Sequence, residues 1–391
     1  MTLYVTLEIV FWISIAALVF TYAGYPALVY LLAKISPKKV NKKDIRPHVT
    51  ILITAYNEES VIKKKLENTL EIDYPKEKLE IMVASDGSTD KTDEIVKGFA
   101  DRGVILFHQP GRKGKTFTQN EAVARAKGEI ILFSDATTNY QSDVLTQILP
   151  NFGDESVGCV AGKLIYVDES GSDIGKGAKS YWNYETQIKQ SESDACSLIG
   201  ASGCLYAVRK SAYQPMYPEA CSDFLICTIV YKQGFRSIYE PNAVCMEVTN
   251  QGTSEEMRMR IRVISQTFTD LWRNRGMMNP FRSGFYAVEL FSHKLLRYAV
   301  PVFLITAFFS SAALSVYSEF FLLVFAVQIA FYAAAFLTWL AAKAGLRIGR
   351  LAFLHYFVLT TFASLFGFFK FLRGEKYAAW EPIRENETTA S

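Results

Sequence analysis

The sequence predicts an α/β fold with a mainly parallel central sheet, joined at both ends to helices long enough to cross a membrane. Three observations predict it. Short β-rich runs alternate with helical segments from Pro47 to about Arg275, the pattern of βαβ units. Three of these runs pass from an apolar strand straight into an acidic turn: VTILITAYNEE from Val49, EIMVASDGSTD from Glu80 and GEIILFSDATT from Gly128. Long apolar stretches lie only outside this region.

The first apolar stretch runs from about Leu7 to Ala33, interrupted by Gly24 and Pro26. Its length suits one membrane-spanning helix. A cleaved signal peptide would want basic residues before the run. Here Glu8 stands at its beginning, and Lys34, Lys38, Lys39, Lys42, Lys43 and Arg46 crowd its exit. The positive-inside rule then puts the N-terminus outside and the following segment in the cytoplasm. Residues 1–33 are expected to be an uncleaved anchor, 34–48 a basic linker and 49–275 a cytoplasmic domain.

Composition shifts near Pro280. Phe281 to Tyr298 mixes aromatic residues with Arg282, His293, Lys294 and Arg297, which predicts an amphipathic interfacial helix over 276–294. Apolar stretches follow at about Leu295–Val316, Phe320–Ala342 and Leu351–Leu372. They make 295–372 a membrane region, and 373–391 is a polar tail. Four crossings would leave that tail outside, whereas Arg373, Lys376 and Arg384 favour the inside. The last stretch has basic residues on both flanks and is the one expected to be re-entrant or interfacial. The reading is a multi-pass protein of the plasma (inner) membrane.

A net charge of +3 gives no reason to expect nucleic acid. The six cysteines all lie between Cys159 and Cys245, with no CxxC pair and no companion histidines. That pattern argues against structural zinc and for reduced thiols.

In open α/β sheets ligands sit beyond the carboxyl ends of parallel strands. The three acidic turns would therefore line one crevice with Asn57, Glu58, Asp86 and Asp135. Oxygen-rich acidic sites hold Mg²⁺ or Mn²⁺, so a nucleoside diphosphate with a divalent ion is a natural occupant. Asp86 could accept hydrogen bonds from a uracil N–H and ribose hydroxyls, whereas Asp90 reads better as the cap of the next helix. In GRKGKTFTQNEA from Gly111, glycines allow close backbone approach to phosphate and lysine supplies a point charge.

These motifs, followed by GASGCLYAVRK from Gly200, CSDF from Cys221 and RMRIRV from Arg258, stand in a family's order and at similar spacing. The chain resembles a membrane-bound family 2 glycosyltransferase, the group that includes bacterial cellulose, hyaluronan and poly-N-acetylglucosamine synthases. The resemblance implies a GT-A-type nucleotide-sugar-binding domain. On it, Tyr56, Asn57, Glu58 and Asp86 hold the nucleoside, Lys115 neutralises the diphosphate, and Asp135 is the first aspartate of a DxD metal motif. Thr137 stands where the second aspartate is usual. Ser202, Gly203 and Cys204 form the floor under the acceptor, and Asp223 is the catalytic base. Arg262 matches the arginine of an Arg-Trp pair, with Val263 in place of the tryptophan and Met259 in place of a glutamine. Trp380 and Arg384 match a gating element of the tail.

The resemblance implies an inverting enzyme that moves a sugar from a nucleotide-sugar, expected to be a UDP-sugar, to a growing polysaccharide or a lipid-linked acceptor, with Mg²⁺ or Mn²⁺ as cofactor. Partner proteins of a synthase complex are left open. The alternative is a catalytically inactive subunit that binds nucleotide or polysaccharide.

Overall fold

The computed structural model describes residues 2–167, 173–248, 253–344 and 352–377. Its eight-stranded sheet has the order β3-β2-β1-β4-β7-β6-β8-β5. The strands are β1 Val49–Ala55, β2 Leu79–Ser85, β3 Val104–His108, β4 Ile130–Asp135, β5 Asn139–Tyr140, β6 Val157–Val167, β7 Tyr206–Arg209 and β8 Arg236–Val248. Strand β1 runs parallel to β2 and β4, β2 to β3, and β6 to β8. Strand β7 lies antiparallel between β4 and β6, and β5 is antiparallel to β8. The sheet is thus mixed and mostly parallel.

Every residue of β1 is buried, as a central strand covered on both faces requires. Ile51 and Ile53 face one core with Leu66, Leu132 and Leu145. Leu52 faces the other with Val123, Phe133 and Tyr206. The layers are built from α3 Ile62–Leu70, α4 Thr92–Lys97, α5 Lys115–Arg125, α6 Val144–Ile148, α7 Asp173–Ala195, α8 Ser222–Lys232 and α9 Thr253–Arg273, which follow α1 Thr2–Val19 and α2 Tyr25–Ile35. Helix α5 begins at Lys115, directly after Gly114, which turns the chain at φ 99°.

A π-helical turn, Phe20–Gly24, joins α1 to α2 without a break. After α9 come α10 Pro280–Ser283, α11 Phe285–Glu289, α12 Arg297–Leu314, α13 Glu319–Lys343 and α14 Ala352–Leu372. The 276–294 segment, expected to be an amphipathic interface segment, is made of short helical pieces. Gly284, at φ 56°, ends α10, and from Phe285 the chain runs helically through a π-helical segment, Leu290–Leu296, into α12. Helices at Leu3–Ile35, Phe285–Leu314, Glu319–Ala341 and Phe353–Leu372 are each long and apolar enough to cross a membrane.

Two ends are distinguishable. At one, Tyr4 meets Tyr317 with ring centroids 5.9 Å apart, and Phe11 meets Phe321 at 5.2 Å. The start of α1 therefore lies beside the α12–α13 turn. At the other, α2 packs on α7 of the α/β domain. A buried polar chain locks this junction: Tyr25 donates to Glu192 at 2.5 Å, His293 bridges Glu192 and Glu185, and Arg297 pairs with Glu185.

Helix α14 differs from the others in lying along α9. Tyr356 donates to Glu256 at 3.1 Å, and the Phe268 ring packs on Phe368 and Phe371. A Cβ at Gly367 would fall 2.8 Å from Ile264, so glycine permits this close approach. Beyond α14, Gln266 donates to the carbonyl of Tyr377 at 2.8 Å, and Lys376 pairs with Glu219 at 3.4 Å. The chain as far as Tyr377 thus rests on the α/β domain. Trp380 and Arg384, the expected gating pair, lie outside the described residues.

Candidate active site

The register of the sheet brings the chemistry together. Ala55 pairs with Ser85, Ser85 with His108, and Thr54 with Asp135, so the carboxyl ends of β1 to β4 form one edge. Strand β7 starts opposite Phe133 and runs the other way. The residues before Tyr206 therefore return to the edge where β4 ends. The acceptor turn is tied to the next motif by the Ala201 N–H, which donates to the Asp223 carbonyl at 3.0 Å. Helix α5 starts there with Lys115.

Lys115, Asp135 and Asp223 converge on Gly203. A Cβ on that glycine would lie 3.3 Å from the Asp223 carboxylate, 3.3 Å from the Lys115 ammonium and 3.4 Å from the Asp135 carboxylate. Lys115 also forms an ion pair with Asp135. Burial would lower the Lys115 pKa, but the charges of Asp135 and Asp223 and the Asp135 hydrogen bond outweigh it and raise the value. The ammonium stays charged where a diphosphate would sit. Arg262 on α9 adds a second cation: burial lowers its pKa, and the charges of Asp135 and Asp223 oppose that.

Asp223 accepts the Phe224 N–H at 2.9 Å and the Cys221 thiol at 3.1 Å on one oxygen, while the other faces Gly203. The CSDF turn is braced by Asp270 of α9, which accepts from the Cys221 N–H at 3.1 Å and from Tyr217. Burial, aided by the charge of Asp223, pushes Asp270 up to about 8 against those hydrogen bonds.

Several residues expected to hold the nucleoside also hold the scaffold together. Asp86 is fully buried and accepts from the N–H groups of Lys113 at 2.8 Å and Gly114 at 2.9 Å and from the Thr118 hydroxyl at 2.8 Å. It clamps the glycine-rich loop. Asn57, at φ 54°, binds the N–H groups of Thr89 and Asp90 through its side-chain oxygen, in a left-handed conformation that asparagine tolerates. Asp90 accepts from the Thr92 N–H and from the Glu59 N–H, one residue before the Lys91 N-cap of α4 rather than at it. Tyr56 lies under the Arg112 guanidinium at 4.1 Å, and the Glu58 N–H donates to Thr92 at 2.7 Å.

The Cys204 side chain is buried against Cys245, with the two sulfurs 3.3 Å apart. Of the expected floor, Gly203 faces Lys115, Asp135 and Asp223, and the Ser202 hydroxyl accepts from Lys189.

Three residues had no motif to announce them. Thr137 donates at 2.9 Å to Glu247 at the end of β8. Burial and the charge of Asp135 push Glu247 up to about 7, against that hydrogen bond and the pull of Lys115. Lys65, fully buried, donates to the Thr138 carbonyl at 2.8 Å and lies 3.7 Å over the Tyr140 ring, which pins the turn after β4. Lys189 of α7 donates to Ser202 at 2.9 Å.

Asp135 and Glu247 are the carboxylates that could hold a metal. Among the described residues no group of three or more His, Cys, Asp or Glu side chains could hold an ion by itself. Two carboxylates fit Mg²⁺ or Mn²⁺ when a diphosphate and water complete the shell.

The chain is similar to known glycosyltransferases. Residues 50–216 match the model of Glycosyl transferase family 2. The chain is 33% identical over 161 residues to beta-monoglucosyldiacylglycerol synthase of Nostoc sp., covering 40% of this chain and 34% of that one. It is 27% identical over 221 residues to poly-beta-1,6-N-acetyl-D-glucosamine synthase of Staphylococcus aureus, covering 55% and 53%. It thus spans about half the length, or less, of these curated relatives. The mannosyltransferase PcManGT from Pyrobaculum calidifontis, solved with GDP-Man and Mn²⁺, superposes with a TM-score of 0.72 at 24% identity over 94% of this chain and 100% of that one. That likeness extends the shared GT-A fold beyond the matched residues to the flanking helices. Residues 50–216 thus match a family 2 glycosyltransferase domain.

Proposed function

We propose that this chain is an integral-membrane inverting glycosyltransferase that moves a sugar from a UDP-sugar to a hydroxyl of a polysaccharide or lipid-linked acceptor. The observation that carries the reading is the convergence of Lys115, Asp135 and Asp223 on Gly203. A carboxylate that can hold a divalent ion, a cation that neutralises phosphate and a base are what displacement at a sugar phosphate needs.

The acceptor oxygen attacks the anomeric carbon as the bond from that carbon to the diphosphate oxygen breaks. Asp223 takes the hydroxyl proton, and the nucleoside diphosphate leaves with the bonding electron pair. Lys115 and Arg262 meet the charge that develops on it. A bound divalent ion, held by Asp135 and Glu247, would supply Lewis-acid stabilisation of that charge. Asp270 and Tyr217 keep the CSDF turn in place, and Asp86 fixes the loop that presents Lys115. Relatives that make a glycolipid and a polysaccharide support both acceptor classes.

The same reading sets the membrane arrangement. Helix α1–α2 crosses once and α12–α13 forms a crossing hairpin, while α14 stays beside α9. Three crossings from an external N-terminus leave the α/β domain and the tail together in the cytoplasm. The six basic residues from Lys34 to Arg46 support that orientation.

Release of nucleoside diphosphate from a panel of donors by purified full-length chain tests the function. Turnover of one UDP-sugar with Mn²⁺ is expected. Binding of donors without turnover of any, across both acceptor classes, would favour an inactive subunit.

A further inference from the structure

Lys189 is a buried cation that the transfer chemistry leaves unused. It is 8% exposed, and its ammonium donates to Ser202, itself 7% exposed, at 2.9 Å. Its other recorded contact is the face of Trp182, 5.2 Å away. The ordinary partners for a helix lysine are carboxylates three or four residues along. Those on α7 are Glu185 and Glu192, and both are bonded elsewhere: Glu185 to His293 and Arg297, Glu192 to His293 and Tyr25. No ion pair to Lys189 occurs among the described residues. A buried charge without a counter-charge is costly, so an ammonium kept here is suited to an anion that arrives with a ligand.

The surroundings indicate where that ligand lies. Ser202 adjoins Gly203, against which Asp223 packs. A second ammonium, Lys294, lies 5.4 Å over the Phe224 ring, with its Cε 3.9 Å from where a Cβ would sit on Gly200. Burial lowers the Lys189 pKa and the Lys294 charge lowers it further, while the charge of Asp223, which forms no ion pair with it, partly opposes both. Lys294 belongs to the Leu290–Leu296 segment that continues into α12, and α7 packs on α2. The wall of the acceptor floor is therefore built from elements that run on into the apolar helices.

We propose that Lys189 is the anion-binding residue of the acceptor subsite, and that it takes the phosphate of an acceptor whose reactive hydroxyl lies at Asp223. The inference rests on the transferase reading and names its acceptor class as phosphate-bearing. A neutral glycan would leave Lys189 without its counter-charge. The Lys189 ammonium and the Ser202 hydroxyl together match a phosphate, which offers several acceptor oxygens and up to two negative charges. Binding is the whole of the role: the proton still goes to Asp223.

The test uses full-length chain in neutral detergent and isothermal titration with three probes. These are dihexanoyl phosphatidic acid, glycerol 3-phosphate and, as the uncharged control, dihexanoylglycerol. Wild type should bind a phosphate-bearing probe about tenfold or more tightly than Lys189→Met does, the scale of one charged hydrogen bond. Dihexanoylglycerol should show no such difference. A difference confined to the phosphatidic acid assigns the site to a lipid phosphate, and an equal one for glycerol 3-phosphate assigns it to phosphate from a soluble acceptor. Lys189→Met should melt no lower than wild type, because it removes a buried unpaired charge. Equal phosphate binding by the two proteins, or a variant that unfolds or melts markedly lower, would overturn the proposal and make Lys189 a structural residue. UDP binding with Mn²⁺ is measured on the same samples. Its absence from wild type, with the phosphate difference intact, would sink the transferase reading and leave the anion site standing.

Discussion

Thr137 donates its hydroxyl proton to Glu247 across a 2.9 Å hydrogen bond. The two residues are 110 positions apart and meet because β5 pairs with the end of β8, Asn139 opposite Met246. A carboxylate from another strand therefore stands beside the position at which a DxD motif would carry its second aspartate.

Metal binding should follow that arrangement. Glu247→Ala should weaken Mn²⁺ binding in the presence of UDP by about tenfold or more, a loss on the scale of one charged contact. Thr137→Asp should tighten it. Electron paramagnetic resonance of free Mn²⁺ reads this without reference to turnover. Unchanged affinity in Glu247→Ala would leave Asp135 as the sole protein carboxylate on the ion.

Gly203 is the position at which added bulk should be felt most. A single methyl group would press on Asp223, Lys115 and Asp135 together at 3.3 to 3.4 Å. Gly203→Ala should lower kcat about tenfold or more, since small misplacements of reacting groups are costly, while the melting temperature stays close to that of wild type. Steady-state kinetics with thermal unfolding checks the pair of outcomes. A Gly203→Ala enzyme of normal rate would mean that the three groups do not act at this point.

Most of this was legible because local rules fixed it. The run VTILITA reads as a buried parallel strand, and β1 is buried at every residue. The acidic turns sit at strand ends, and register alone then gathers them. What sequence could not give was the direction of side chains. Asp86 and Cys204 both stand in motif positions, yet one is turned into the glycine-rich loop and the other into the core. Asp270, Glu247 and Lys189 were illegible for a different reason. Each acts through a contact with a distant segment: Asp270 with Cys221, Glu247 with Thr137, Lys189 with Ser202. The break near Pro280 was not legible because composition is blind to a single glycine, Gly284, that ends one helix and lets another start.

The pH dependence of stability should carry the mark of Asp270. Burial holds its folded pKa at about 8, above the ordinary 3.8. The folded state therefore keeps a proton that the unfolded state releases, and stability falls as pH rises from about 4 to 8, then levels. Asp270→Asn lacks this dependence, so its melting temperature relative to wild type should be higher at pH 9 than at pH 5. Parallel curves across that range would show that Asp270 is ionised in the folded protein.

Cysteine labelling decides the membrane arrangement. Val316, 80% exposed in the α12–α13 turn, should react as Val316→Cys with an impermeant maleimide in intact cells. Lys376→Cys, on the side of the α/β domain, should react only after permeabilisation. Labelling of Lys376→Cys from outside would place the tail and the domain it rests on across the membrane from the assignment made above.

The role of Asp223 is the centre of the account, and Asp223→Asn tests it most directly. Asparagine preserves the shape of the side chain and its acceptance of the Phe224 N–H, but it cannot take the acceptor proton. Sugar transfer by the purified full-length chain should fall by at least about a hundredfold, the lower range for loss of a general base, while UDP binding with Mn²⁺ stays within about twofold of wild type, inside the few tenths of a kcal/mol expected for a residue that does not touch the nucleotide. Near-normal transfer by Asp223→Asn would contradict the account and remove this carboxylate from the mechanism.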